Sequence, residues 1–324
     1  MSTLLLDNVS RWFGNVVAVN AVTMTIGPGV TGLLGPNGAG KSTLIHMMGG
    51  FLAPSSGTVT LDGEIVWRNE EIYRRIGLVP EREAMYDVVT GWQFVLANAK
   101  LHGLADPEAA ARRALETVHM TEAQGRDIST YSKGMKQRIK MATALVHDPP
   151  VLLLDEPFNG MDPRQRLLLM ALLQTMGDEG RTVLFSSHIL EEVEQIAGGI
   201  EVMVAGRHAA SGGFREIRRL MTERPHQYTI RSDNDRALAA AIIAEPSASG
   251  VQLIAAHDTE SAIAQGEAST GRRDGASALH VQATDFASFV RVLPQLASRH
   301  SIRLYEVTPA DESLESVFSY LVAR

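Results

Sequence analysis

The sequence contains no cysteine. That absence removes disulfides, thiolate metal sites, iron–sulfur clusters and cysteine nucleophiles together. Long apolar runs are missing too. The longest near a helix, Leu167-Leu168-Leu169-Met170-Ala171-Leu172-Leu173, falls far short of the roughly 20 residues that cross a bilayer. The opening stretch, Met1-Ser2-Thr3-Leu4-Leu5-Leu6-Asp7, lacks the basic start and long apolar centre of a secretory signal. Positive charge is not in excess: 30 Lys and Arg against 37 Asp and Glu leave a net charge of −7, so no general basic field invites nucleic acid. The expectation is a cytoplasmic chain, at a membrane only where a partner holds it. The remaining composition, 45% hydrophobic and 21% charged over 324 residues, is that of a globular protein with room for two domains.

What is present centres on Gly35-Pro36-Asn37-Gly38-Ala39-Gly40-Lys41-Ser42-Thr43. A short apolar run (Val30, Leu33, Leu34) precedes it and reads as a buried strand; Thr43-Leu44-Ile45-His46-Met47-Met48 follows and reads as a helix. Strand, glycine-rich loop and a Gly-Lys-Ser opening a helix form the P-loop context. Phosphate oxygens need many N–H donors converging on a small volume, and side chains would crowd that approach. Glycines let the backbone wrap the phosphate, and the helix N-terminus adds unpaired N–H groups and a positive dipole end. Lys41 is placed for the β- and γ-phosphates of a bound nucleotide, and the Ser42 hydroxyl for Mg²⁺.

A second carboxylate-bearing segment completes the chemistry. Val151-Leu152-Leu153-Leu154-Asp155-Glu156-Pro157 reads as a buried strand ending in adjacent acids, which can aim at different targets because side chains alternate along a strand. Asp155 is expected to hold Mg²⁺ directly or through water, and Glu156 to polarise the attacking water as general base.

Around these motifs the pattern is α/β. Strands are expected near residues 4–9 and 22–26, joined through a turn at Gly14-Asn15, then at 57–63, 75–80, 151–154 and 182–185. The last two are continuous apolar runs, suited to central parallel strands buried on both faces. From about residue 85 to 149 the pattern turns helical, with Trp92, Val95, Leu96 and Ala99 on one face and Asp106-Pro107 starting a second helix. Beyond Gly212-Gly213 the order becomes strand (227–231), helix (235–244), strand (251–255), strand (279–283), helix, strand (302–307), a split βαβ, ferredoxin-like order. Pro294 should kink or end the second of those helices. Residues 259–276 read as a polar loop, and a last helix opening at Thr308-Pro309-Ala310-Asp311 places Leu314, Val317, Phe318 and Leu321 on one face.

Taken together, Gly35 to Thr43, Tyr131-Ser132-Lys133-Gly134-Met135-Lys136-Gln137-Arg138, Asp155-Glu156-Pro157, Asn159-Gly160-Met161-Asp162-Pro163 and Ser186-Ser187-His188 resemble an ATP-binding cassette (ABC) protein. They stand in the order of the Walker A, signature, Walker B, D-loop and switch-histidine elements of a transporter's nucleotide-binding domain. The form of the signature and the long C-terminal extension are similar to bacterial exporter ATPases that pair with a separately encoded permease. The resemblance implies a P-loop NTPase cassette over residues 1–216, with a RecA-like core, a β subdomain and a helical subdomain at about 86–149. A C-terminal α+β domain over 217–324 would add dimer contact or regulation.

The same resemblance implies an ATPase using ATP and Mg²⁺, attached to the inner face of the cell membrane through an integral membrane permease. A second cassette, in a homodimer, would share each ATP. Walker A residues Gly35, Pro36, Asn37, Gly38, Ala39, Gly40, Lys41, Ser42 and Thr43 of one chain would face Ser132 and Gly134 of the other. His188 would contact the γ-phosphate in cis, and Asp162 the opposite chain. Phe13 matches the adenine-stacking aromatic, with Trp12, or core packing of Phe13, as alternatives. The permease would dock near residues 81–89. The rival reading is a soluble cassette switch on ribosomes or nucleic acid; such relatives carry two fused cassettes or a long coiled-coil insertion, and the acidic balance argues against it. A regulatory ATP-binding module with little turnover is a third, opposed by Glu156 and His188.

Departures from the pattern are informative. Glu81, in Val79-Pro80-Glu81, stands where the family usually has glutamine; a carboxylate can ligate Mg²⁺ but cannot donate a hydrogen bond while ionised. Lys133 and Met135 replace the usual Gly and Gln of the signature. Met47 and Met48 read as core filler behind the P-loop. The acidic Glu191-Glu192-Val193-Glu194 reads as a solvated helix start.

Overall fold

Apolar runs with no polar face can be stable strands only inside a covered sheet, and that is where they lie in the computed structural model. The structure describes residues 2–81, 85, 88–213, 216–217, 226–254, 278–284 and 286–309. These fall into two compact units, one within residues 1–217 and the other within 218–320.

The first unit starts with β1 (Leu4–Phe13) and β2 (Val16–Ile26), followed by β3 (Gly29–Leu34), α1 (Lys41–Met48), β4 (Ser56–Leu61), β5 (Glu64–Ile65), α2 (Glu70–Tyr73) and β6 (Ile76–Val79). A helical insertion carries α3 (Gly91–Leu101), α4 (Pro107–Thr117) and α5 (Lys133–Leu145). The chain then runs through β7 (Val151–Leu154), α6 (Pro163–Asp178), β8 (Thr182–Ser187), α7 (Leu190–Ile196), β9 (Gly199–Val204) and β10 (Arg207–Gly212).

Two sheets result. The antiparallel one has the order β2-β1-β4-β5 and buries Leu4 and Leu6 of β1 while exposing Leu5, the alternation of a sheet covered on one side. The other has the order β10-β9-β3-β8-β7-β6, parallel from β9 to β6, with β10 returning as an antiparallel edge. Val151, Leu152, Leu153 and Leu154 of β7 are all wholly buried. Because β3, β6, β7 and β8 run the same way, the segments leaving them (35–40, 80–81, 155–156 and 188) emerge on one edge. Topology alone thus gathers the motifs. Met47 and Met48 are buried in the core against both sheets, as expected.

Local rules explain the insertion. Thr90 accepts a hydrogen bond from the Gln93 N–H at 3.2 Å while Gln93 Oε1 accepts from the Thr90 N–H at 2.9 Å, a reciprocal cap that starts α3. Asp106 caps α4, with Pro107 at its first position. Helix therefore begins at Gly91 rather than near residue 85.

Four features correct the sequence reading. The hairpin of β9 and β10 and the short α2 were not anticipated. The stretch 191–194 is not uniformly solvated: Glu191 and Glu194 are exposed, but Glu192 is only 5% exposed and holds Ser187 and Arg166. In the second unit, the helix containing Pro294 runs on to Arg299. Pro294 and Val290 both lie on its exposed side, so the Val290 carbonyl that lacks an N–H partner is turned to water.

That second unit is β11 (His226–Ser232), α8 (Asp235–Ile243), β12 (Ala248–Ile254), β13 (Ala278–Ala283), α9 (Phe286–Arg299) and β14 (Leu304–Pro309). Its antiparallel sheet has the order β12-β13-β11-β14, which is the ferredoxin-like order expected from the sequence. The helices contribute Leu238, Ile242, Phe289, Leu293 and Leu296 to one core with Tyr228, Ile230, Leu279 and Val281 of the sheet. The expected loop at 259–276 and the final helix beyond 309 lie outside the described residues.

One ion pair in the first unit has a measurable consequence. His208 Nε2 lies 2.6 Å from Glu201 Oε2, and Ser211 donates to Glu201 Oε1 at 2.9 Å. The Glu201 hydrogen bond outweighs burial and raises the His208 pKa above its ordinary value. A raised folded-state pKa means the folded state holds the proton more tightly than the unfolded chain. The resulting stability is fully present below the unfolded value of about 6.5 and is lost as pH rises through the folded value. Thermal unfolding of the full chain followed against pH should therefore show a decline above about pH 6.5 that His208→Gln removes; an unchanged slope in that variant sinks the assignment.

Candidate nucleotide site

The loop after β3 turns into α1 through Gly40, whose φ of 96° lies in the left-handed region. A Cβ there would sit 2.4 Å from the Ala18 carbonyl oxygen. Only glycine meets both demands. The first-turn N–H groups of α1 have no acceptor within the helix and face a cleft of about 440 Å³. Residues 16–18, 37–43, Glu81 and Glu156 line it, so Asn37, Gly38, Ala39, Gly40, Lys41, Ser42 and Thr43 converge on it. Gly35 and Pro36 form the base of the loop, where their carbonyls accept from Lys41 Nζ at 2.7 and 3.2 Å.

Opposite stands the acidic pair at the end of β7. Asp155 and Glu156 are both buried. The Ser186 hydroxyl, from the neighbouring β8, donates to Asp155 Oδ1 at 2.7 Å and accepts from the Glu156 N–H at 2.8 Å. Ser186 thus holds both acids, a role sequence reading did not assign. Its position in the parallel register, one step past the Leu154–Phe185 pair, was the available signal. Glu156 has φ 47°, a costly conformation for a residue with a side chain, and this turn separates the directions of the two carboxylates. Glu156 Oε1 lies 3.4 Å from Lys41 Nζ and Oε2 lies 3.1 Å from His188 Nδ1. Burial raises the Glu156 pKa, with Lys41 and His188 opposing the shift.

Oxygen ligands suit Mg²⁺, which is held by one or two carboxylates plus substrate phosphates rather than by an all-protein cage. The donor set fits: Ser42 and Glu81 line the cleft, and Asp155 precedes Glu156 of its wall and is held with it by Ser186. Glu81 is exposed, and its own carbonyl and that of Pro80 accept from Lys140 Nζ at 3.1 and 2.8 Å.

Ser132, Gly134 and Asp162 do not line this cleft. They form a second patch. Ser132 caps α5, accepting from the Met135 N–H at 3.2 Å, and Asp162 caps α6, accepting from the Gln165 N–H at 2.9 Å. The two caps are pressed together: a Cβ on Gly134 would fall 1.9 Å from Gln165 Oε1, so Gly134 is fixed by packing as well as by any ligand contact. Lys133 lies over Gly160. Trp12 and Phe13 are both about half exposed, so neither is core; Arg11 places its guanidinium 4.7 Å from the Phe13 ring centre. Phe13 pairs with Val16 and Trp12 with Val17, two residues of the cleft wall.

A P-loop, a buried Asp-Glu pair and a histidine at the ends of parallel strands, with a helical insertion and a flanking antiparallel sheet, define a nucleotide hydrolase of the P-loop class in its cassette form. The family model described as "ABC transporter" matches residues 19–159. The chain is 31% identical over 323 residues to the linearmycin resistance ATP-binding protein LnrL of Bacillus subtilis (strain 168), covering 98% of this chain and 97% of that one. It is 30% identical over 319 residues to the bacitracin transport ATP-binding protein BcrA of Enterococcus faecalis, covering 98% and 95%. A solved ATP-binding subunit of an ABC transporter superposes with a TM-score of 0.61 at 28% identity, over 67% of this chain and 92% of that one. The chain belongs to the ATP-binding proteins of ABC transporters. It is an ATPase, and proteins of this class dimerise and work with membrane permeases. Among the described residues no helix is long and apolar enough to cross a membrane.

Proposed function

We propose that this chain powers export through a separately encoded permease, held by it at the inner face of the cell membrane. The observation that carries the reading is similarity along nearly the whole chain to proteins named for linearmycin resistance and bacitracin transport. The acidic net charge of −7 supports it over a switch acting on nucleic acid. The C-terminal domain, residues 217–324, serves dimer contact or regulation, and the permease docks near residues 81–89, of which 82–84, 86 and 87 lie outside the described residues.

The family pattern and the geometry of the cleft together support the following roles. Backbone N–H groups of 37–43 and the α1 N-terminus cradle the phosphates, with Lys41 leaving Glu156 for the β- and γ-oxygens. Phe13 stacks on the adenine. Ser42, Asp155 and Glu81 would hold Mg²⁺, which would supply neutralisation of charge on the phosphate oxygens. Glu156 takes the proton of the attacking water, and His188 contacts the γ-phosphate from the same chain. Ser132, Gly134 and Asp162, remote from the cleft of their own chain, act on the nucleotide of a second copy. Closure of two such chains around ATP stores only the difference in affinity between open and closed states.

Glu81→Ala tests the least usual of these assignments. Turnover is expected to fall about tenfold and the Mg²⁺ titration of activity to move to higher concentration; a superimposable titration removes Glu81 from the metal set. The transporter reading is tested with a tagged Glu156→Gln chain, purified with ATP and Mg²⁺ from solubilised native membranes. A stoichiometric multi-span membrane protein is the expected companion; ribosomal proteins or nucleic acid in its place would overturn the reading.

A further inference from the structure

Glu192 is a buried acid that the hydrolytic site leaves unused. It sits in α7, four residues beyond His188, with only 5% of its surface exposed. A carboxylate in such a position is costly unless both oxygens are satisfied. Here Oε2 accepts from the Ser187 hydroxyl at 2.6 Å, and Oε1 lies 3.3 Å from Arg166 Nη1. The Ser187 oxygen in turn accepts from the Ile189 N–H at 3.0 Å. A hydroxyl has a single proton to donate, and Glu192 at 2.6 Å is a nearer acceptor for it than the Ile189 carbonyl at 3.3 Å. Glu192 therefore fixes the turn 187–189, and that turn carries His188, whose Nδ1 meets Glu156 at 3.1 Å.

The other end of the pair is equally placed. Arg166 stands one helical turn beyond Asp162 in α6, and its N–H bonds the Asp162 carbonyl at 3.0 Å. Asp162, which opens that helix, is the residue read above as the contact to the opposite cassette. An unbroken set of contacts thus runs from Asp162 through Arg166, Glu192, Ser187 and His188 to Glu156. Glu192 is buried but Arg166 is partly exposed, and an ion pair of that kind contributes little to stability. Stability alone does not call for this one; fixed geometry between two helices does.

We propose that Arg166 and Glu192 are positioning residues for hydrolysis: their ion pair ties the helix entered through Asp162 to the turn presenting His188, so that a partner cassette touching Asp162 sets where His188 stands against Glu156. The inference rests on the reading of Asp162 as the contact to the second copy. Neither residue touches nucleotide; both act through His188.

The experiment uses the full chain and measures ATP turnover, ATP affinity by equilibrium dialysis, and thermal unfolding. Glu192→Gln keeps an acceptor for Ser187 but removes the charge; Arg166→Met and the milder Arg166→Lys change the other side at a position open enough to tolerate them. Glu192→Gln and Arg166→Met are each expected to lower kcat about tenfold, with ATP affinity and the unfolding temperature little changed and Arg166→Lys recovering most of the loss. In a His188→Ala background the same substitutions should change the residual turnover by less than about twofold, because they share its route. An undiminished kcat in the native background, or an equal loss with and without His188, overturns the link. Either result leaves the transporter reading standing, since that reading is decided separately by the membrane partner captured with the Glu156→Gln chain.

Discussion

Exchange of Glu156 for glutamine should lower ATP turnover by about a hundred- to ten-thousandfold while ATP remains bound. Glutamine has the same shape and keeps an oxygen for His188, so the cleft retains its form. What it loses is the ability to accept a proton from water. Lys41 remains anchored by the Gly35 and Pro36 carbonyls at 2.7 and 3.2 Å, so its ammonium is not stranded by the lost carboxylate. Single-turnover hydrolysis together with retention of labelled ATP checks both halves of the expectation; turnover within about tenfold of the native chain means that the proton goes elsewhere. A pH profile adds a second check. A base works only when ionised, and burial raises the Glu156 pKa. The acid limb of turnover should therefore lie above the ordinary carboxylate range, and activity should be lost as pH falls through it.

Gly40→Ala carries the next largest expected effect. The added methyl demands a backbone angle that side chains disfavour, φ 96°, and drives into the Ala18 carbonyl at 2.4 Å. Relief requires the loop to move away from β2, which withdraws the N–H groups aimed at the phosphates. Strain of about 1–3 kcal/mol corresponds to a loss of nucleotide affinity of about 10- to 100-fold. Titration with ATP measures it, and the melting temperature without nucleotide separates loss of the cradle from loss of the fold. Native affinity in this variant would show that the loop does not need its observed path.

The contrast between what was and was not legible in the sequence is physical. Gly35 to Thr43 and Asp155-Glu156 announce themselves because phosphate and metal chemistry restrict residue types at fixed short spacings. The strands at 151–154 and 182–185 are legible because burial on both faces favours apolar runs, here Val151 to Leu154 and Val183 to Phe185. Glu192 was misread because its charge suggests solvent, whereas its helical position beside Val193 and Ile196 places it inward, and the partner that makes this tolerable, Arg166, is on another helix. Ser186 was named only as part of a motif; its two hydrogen bonds depend on strand register. Pro294 continues its helix because the carbonyl it deprives lies at the surface, a fact of packing that local propensity does not contain. Gly134 illustrates a mixed case: its residue type was expected for phosphate contact, and the Gln165 side chain pressed against it supplies a second reason.

The pairing of β3 with β8, in the register Gly29 with Thr182 through Leu34 with Ser187, also has a consequence for biosynthesis. Contacts so distant in sequence form late, because a long loop must close before they repay its entropy. A nascent chain that has emerged only through Glu156 possesses the complete P-loop motif and both acids, yet lacks Ser186 to hold them and β8 to set their distance from Lys41. Nucleotide capture is then a property of the finished sheet, and ATP, by binding only that state, acts as a late thermodynamic lock on the folding of its own site.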